Sequence, residues 1–140
     1  MNRTEWPLRG GCHCGAVRFL ATIETDAGAA PVAYECNCSI CRMLGFQHLI
    51  VAQENFDLLQ GEDDLSSYTF NTGVARHSFC RHCGVKSFYV PRSNPDGYSI
   101  NLRCLDKVPA GIRIEPFDGQ QWEANAASLA HLSKVEKRND

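Results

Sequence analysis

Seven of the eight cysteines fall in three short clusters, and their spacing constrains the fold more tightly than any other feature of the chain. Cys12 and Cys14 form a C-x-C pair inside Gly10-Gly11-Cys12-His13-Cys14-Gly15, and Cys80 and Cys83 form a C-x-x-C pair inside Phe79-Cys80-Arg81-His82-Cys83-Gly84. Thiols this close in sequence are awkward disulfide partners for each other, because a disulfide fixes both the Cβ separation and the torsion about sulfur. They suit a shared cation instead. Glycine follows the second cysteine of each pair, which permits a positive φ and lets backbone N–H groups turn toward electron-rich sulfur. Two knuckles of this kind supply the four thiolates of a closed tetrahedral site, so Cys12, Cys14, Cys80 and Cys83 are read as the ligands of one structural zinc that staples two distant loops.

The middle cluster, Cys36-Asn37-Cys38-Ser39-Ile40-Cys41-Arg42, packs three thiols into one loop and has no glycine after the last and no fourth ligand nearby. Three protein ligands with an open position is the pattern of a reactive zinc, which makes Cys36, Cys38 and Cys41 the candidate catalytic centre, with a metal that can be lost or whose ligands can oxidise. A zinc dication with three thiolates carries a formal charge of about −1, so sulfur donation has already quenched much of its Lewis acidity. Such a site polarises a carbonyl poorly and suits binding a substrate thiol and holding it as a nucleophile. The competing reading is a second structural zinc completed by Cys104, His48 or His77. Cys104, at a strand end, also reads as a small buried hydrophobe.

The neighbouring polar residues carry weaker signals. Arg42 is either a capping residue after the cluster or a cation that receives a substrate carboxylate. His13 and His82, between ligand cysteines, point away from a metal, and His131 belongs to a terminal helix. Arg76 and Lys86 read as solvated surface. No residue stands out as a general base.

Composition narrows the class. With 44% hydrophobic and 21% charged residues in 140, the chain can bury a real core as one domain over 1–140, its core from about 10 to 122. A net charge of −2 lacks the basic field that nucleic acid requires. No apolar run approaches the roughly 20 residues of a membrane helix, and the polar start lacks the apolar stretch of a signal peptide. The expectation is a cytoplasmic protein with neither membrane nor nucleic-acid partner, its thiols in a reducing compartment.

Val17, Phe19, Ala21 and Ile23 alternate with more polar neighbours, the two-residue period of a strand with one buried face. Val32, Tyr34 and Cys36 share a face of a second strand that ends on the middle cluster. Further strands are expected over 48–53, 68–70, 85–90, 98–102 and 112–116, the third and fourth of these as a hairpin with a long connection. Residues 121–136 are Ala-rich with helical spacing, giving a helix within a tail over 123–140.

Taken together, the Gly-Gly-Cys12-His-Cys14-Gly-Ala-Val, Cys36-Asn-Cys38-Ser-Ile-Cys41-Arg and Phe-Cys80-Arg-His-Cys83-Gly motifs resemble the glutathione-dependent formaldehyde-activating enzyme (GFA) family, whose domain is shared with centromere protein V. The likeness runs in order from about Gly10 to Cys83 and on to Phe117-Asp118-Gly119-Gln120-Gln121-Trp122. It implies a mainly β fold of several small twisted antiparallel sheets organised around a structural zinc, with a short C-terminal helix. It also implies a second zinc on Cys36, Cys38 and Cys41, carbon–sulfur lyase chemistry, and a glutathione-like thiol and formaldehyde as substrates. The centromere branch suggests, by analogy, the other possibility of a non-catalytic zinc module that holds a protein partner.

Overall fold

The alternating segment after the first cysteine pair forms β2 (Arg18–Asp26), with Phe19 and Ala21 on its fully buried face and Val17 buried just before it. In this computed structural model residues 3–70, 73, 75–119 and 126–133 are described. β2 is the middle strand of a three-stranded sheet, flanked by β1 (Arg3–Gly11) and β5 (Phe56–Gln60). β1 pairs with β2 antiparallel along its whole length, from Arg3 opposite Asp26 to Gly11 opposite Arg18. Sequence alone does not mark β1, because it carries Pro7 and alternating charges; both are tolerated on an edge strand, whose outer N–H groups need no ladder partner.

A second sheet has the strand order β10-β3-β4-β9-β8, built from β3 (Val32–Cys36), β4 (Gln47–Ala52), β8 (Phe88–Tyr89), β9 (Gly97–Asn101) and β10 (Arg113–Phe117). β4 lies at its centre and all six of its residues are buried, which accounts for its nearly continuous apolar sequence. β8 and β9 form the expected hairpin with a long connection. The expected antiparallel arrangement holds for every pair of named strands except β10 with β3, which run parallel with Phe117 opposite Cys36. A parallel neighbour has to return over a long stretch of chain, so no local turn signal announces it.

β6 (Leu65–Tyr68) and β7 (His77–Cys80) make a separate two-stranded ribbon, with Leu65 opposite Cys80 and Tyr68 opposite His77. The strand expected at 68–70 therefore begins and ends earlier, its limits set by the partner. A single α-helical turn and a half, α1 (Ser39–Leu44), interrupts the middle cysteine cluster. The terminal helix is present as a 3-10 helix over Ala126–Ser133, and the rest of the expected 121–136 span lies outside the described residues. Asn94 holds it in place, its Nδ2 donating to Leu129 O and Ser133 Oγ, each at 2.9 Å.

Leu8, Phe19, Leu49, Phe88 and Ile100 come from both larger sheets and meet in one buried cluster, which places the core between them. Phe19 stacks on Phe56 at 5.8 Å and meets Phe88 edge-on at 6.1 Å. Cys12 and Cys80 belong to the same cluster, so the first cysteine site grows directly out of the core. No helix among the described residues is long and apolar enough to cross a membrane. Phe19→Ala removes the ring at this junction and is expected to lower unfolding free energy by about 3–5 kcal/mol, read from a urea titration at constant slope.

Candidate functional site

Both knuckles fold by the same local device. Cys12 N–H donates to Val17 O at 3.1 Å, and Cys80 N–H donates to Val85 O, also at 3.1 Å, so each loop is closed five residues on. Gly15 and Gly84 take φ of 84° and 76°, the left-handed turn for which the sequence placed glycine there. Backbone N–H groups then reach sulfur, Val17 to Cys12 Sγ at 3.2 Å and His82 to Cys80 Sγ at 3.4 Å. The four sulfurs of Cys12, Cys14, Cys80 and Cys83 lie within 4.8 Å of one another. The Cys12–Cys14 and Cys14–Cys80 separations are both 3.6 Å. A tetrahedron of thiolates at about 2.3 Å from zinc has edges of about 3.8 Å, so this donor set fits a closed structural site. His13 is exposed, and His82 turns outward to Asp64 with Nε2 2.8 Å from the carboxylate, as expected of residues between ligands.

The second cluster forms where β3 ends and α1 begins. Cys36 is the last residue of β3, Cys38 occupies the cap position of α1, and Cys41 sits one turn on, with Arg42 N–H closing that turn on Cys38 O at 3.0 Å. Residues three apart on a helical turn share a face, which brings Cys38 and Cys41 together. β10 braces the loop from the other side: Asn37 N–H donates to Phe117 O and Asn37 Nδ2 to Asp118 Oδ1, both at 3.2 Å. Gly119 lies flat against the cluster, where a Cβ would overlap Cys36 Sγ and come within 2.9 Å of Cys38 Cβ.

The sulfurs of Cys36, Cys38 and Cys41 lie within 4.8 Å of one another. Their mutual hydrogen bonds pull them apart electrostatically: thiol donation from Cys36 and Cys41 drives the Cys38 pKa down, while bonding to Cys36 and Cys38, together with burial, drives Cys41 up. Without a cation the trio shares one negative charge; a bound dication would let all three sulfurs ionise. The donor set therefore fits a soft metal ion. Among the described residues no fourth ligand joins it. Cys104 is elsewhere, its Sγ 3.8 Å from Lys86 O, and burial raises its pKa to about 11, the state of an inert buried thiol.

The trio opens onto a cavity of about 440 Å³. Apolar groups, among them Ile50, Phe70, Pro91 and Phe117, make up much of its wall, and Arg92, Ser93, His48 and His77 supply the polar part. Arg42 is exposed on the last turn of α1 and is not among the lining residues; the basic side chain that reaches the cavity is Arg92, from the β8–β9 connection. Sequence reasoning also missed the buried group behind the wall. Lys86 is only 7% exposed, 2.5 Å from His77 Nδ1, and its Nζ lies 3.8 Å above the Tyr89 ring. Burial lowers its pKa to about 8, and burial likewise holds His48 near 3 and His77 near 4, so at neutral pH both imidazoles are uncharged and the lysine is mostly charged. A histidine inside the apolar run Phe46-Gln47-His48-Leu49-Ile50-Val51-Ala52 is a signal visible in sequence; the meeting of His77 and Lys86 is not.

Two substitutions check these geometries. Cys80→Ser removes a buried member of the four-sulfur set and is expected to lower Tm by more than about 10 °C. Gly119→Ala, outside the hydrophobic core cluster, is expected to leave Tm within about 3 °C while displacing Cys36, read as weaker metal binding by the middle cluster in competition with a chromophoric chelator.

With this geometry established, two comparisons with known proteins bear on it. A family model described as glutathione-dependent formaldehyde-activating enzyme matches residues 7–124, a span that contains all three cysteine clusters and the β10 brace. The chain is also similar to a crystal structure of a Rhodobacter sphaeroides protein, at 34% sequence identity and a TM-score of 0.64, over 76% of this chain and 98% of that one. The chain belongs to the glutathione-dependent formaldehyde-activating enzyme family.

Proposed function

We propose that this protein is a zinc-dependent enzyme that adds a glutathione-like thiol to formaldehyde or a similarly small aldehyde, and cleaves the adduct in the reverse direction, a carbon–sulfur lyase of the S-hydroxymethylglutathione synthase type. The observation that carries this reading is a three-sulfur donor set with no fourth ligand among the described residues, facing a cavity whose size falls within the range of small-molecule sites. Zinc bound there would supply a position for a substrate sulfur and favour its thiolate form.

The chain's own residues do the rest. Cys36, Cys38 and Cys41 set the direction from which sulfur is presented, and the β10 brace fixes that direction against the cavity. Phe70, Pro91 and Phe117 exclude water from the reacting carbon, which otherwise competes as a nucleophile. Arg92 on the cavity wall is the cation placed to attract a carboxylate of a peptidic thiol, the role that sequence reasoning weighed for Arg42. Cys12, Cys14, Cys80 and Cys83 would hold the second, structural zinc, away from the chemistry. None of the eight cysteines is in a disulfide, which leaves all of them available as thiols or metal ligands.

The test is a pair of serine variants measured with and without glutathione. Cys36→Ser and Cys38→Ser are expected to keep the wild-type far-ultraviolet spectrum and to lower thiol-dependent turnover of formaldehyde by about 10²-fold or more. Undiminished turnover in a folded Cys36→Ser protein contradicts the assignment. A parallel Arg92→Gln variant is expected to raise KM for glutathione by about tenfold while leaving kcat nearly unchanged, since it contributes binding alone.

A further inference from the structure

His48 and His77 both line the cavity, and the Nε2 atom of each is buried without a hydrogen-bond partner. The rings are 6% and 5% exposed. Leaving a buried ring nitrogen unpartnered forfeits its hydration with nothing in return, so a fold that keeps two of them beside its cysteine cluster calls for a cause. His77 is the better determined. Its ring is clamped between Phe70 at 5.3 Å and Tyr89 at 4.8 Å, with interplanar angles of 21° and 15°, so the ring plane is fixed. On one side Nδ1 meets Lys86 Nζ at 2.5 Å. An ammonium has three donors and no acceptor, so Nδ1 must accept, and a neutral imidazole that accepts at Nδ1 carries its proton at Nε2. His48 lacks this constraint, because its Nδ1 faces two hydroxyls, Ser99 Oγ at 2.8 Å and Tyr89 OH at 3.3 Å.

We propose that His77 donates the proton that neutralises the substrate oxygen during carbon–sulfur bond formation, through an Nε2–H that Lys86 maintains from behind. The inference rests on the thiol–aldehyde reading of the site. The thiol releases its proton to solvent, and the sulfur lone pair forms the S–C bond as the carbonyl π pair moves onto oxygen. That oxygen takes the proton from His77 Nε2 while Lys86 lends one to Nδ1; when the adduct leaves, a solvent proton, replacing the one the thiol released, returns to Nε2 and the Nδ1 proton goes back to Lys86. In reverse, the hydroxyl proton of the adduct returns by the same path as the C–S bond breaks. Burial brings the Lys86 pKa to about 8, close enough to neutrality for the lysine to give up and regain a proton at working pH. Lys86 is a positioning residue in this scheme, and His77 is the group that touches substrate.

The experiment uses the zinc-loaded full chain labelled with nitrogen-15 at histidine. Long-range proton–nitrogen spectra are expected to show His77 as the Nε2–H tautomer, its signal shifted by glutathione with formaldehyde and unmoved by glutathione alone. Exchange of carbon-13 formaldehyde with the thiol adduct, followed by NMR, is expected to fall about 10²-fold in His77→Phe while the glutathione Kd measured without aldehyde stays within about twofold. His77→Gln, which keeps an N–H near the Nε2 position but cannot relay a proton, is expected to recover part of that loss. Lys86→Met is expected to mix the His77 tautomers, a change that a lysine present only for packing would not cause. An Nδ1–H tautomer in the wild-type protein, an Nε2–H signal indifferent to aldehyde, as a buried water partner would give, or undiminished exchange in His77→Phe each overturns the proton-donor role and leaves the cysteine assignment standing. A wild-type protein that fails to accelerate exchange overturns the thiol–aldehyde reading, and the proton-donor role with it.

Discussion

Crowding of sulfur is the constraint on which the rest of the molecule depends. Seven thiols are gathered into two clusters, each with its sulfurs within 4.8 Å of one another, and like charges at that separation repel unless a cation lies among them. The four-sulfur cluster ties the end of the β1–β2 hairpin to the β6–β7 ribbon, two units that otherwise share little packing. Its inner members, Cys12 and Cys80, are part of the hydrophobic core, so a metal held there would be coupled to core formation.

The second cluster differs because its backbone is held by neighbours and only three sulfurs gather in it among the described residues. Two knuckles close the first cluster from both sides. The second faces the cavity, and its support comes from the parallel β10 strand and from Gly119 just beyond it, which lies against Cys36. A parallel pair ends both of its strands on the same side of a sheet, so the trio and its brace necessarily emerge together. The same end of the sheet carries His48 on β4 and Tyr89 on β8, which is how a charged lysine and two neutral histidines come to stand around one reactive loop.

What could be read from sequence follows from how local each determinant is. Both knuckles and the trio are spelled out within a few residues each, and β2 shows its buried face by simple alternation at Phe19 and Ala21, whereas in β3 the fully buried residue is Ala33 and the face of Val32, Tyr34 and Cys36 is only partly buried. β1 was hidden because an edge strand does not need an apolar pattern, and β7 because its pairing with β6 is decided by the ribbon rather than by its own residues. Arg42 is adjacent to the trio in sequence yet points off the helix into solvent, whereas Arg92, fifty residues on, reaches the cavity wall. Lys86 reads as surface because lysine usually is; only the three-dimensional meeting with His77, Phe46 and Tyr89 explains its burial.

The central claim is that the metal at Cys36, Cys38 and Cys41 keeps a position for a substrate sulfur. Zinc-edge X-ray absorption on anaerobically loaded protein, recorded before and after addition of glutathione, addresses it directly. The account predicts a closed four-sulfur zinc that does not change and a second zinc that gains one sulfur at about 2.3 Å when the thiol is added. Two zinc sites with four protein ligands each, and a spectrum unaltered by glutathione, would contradict it.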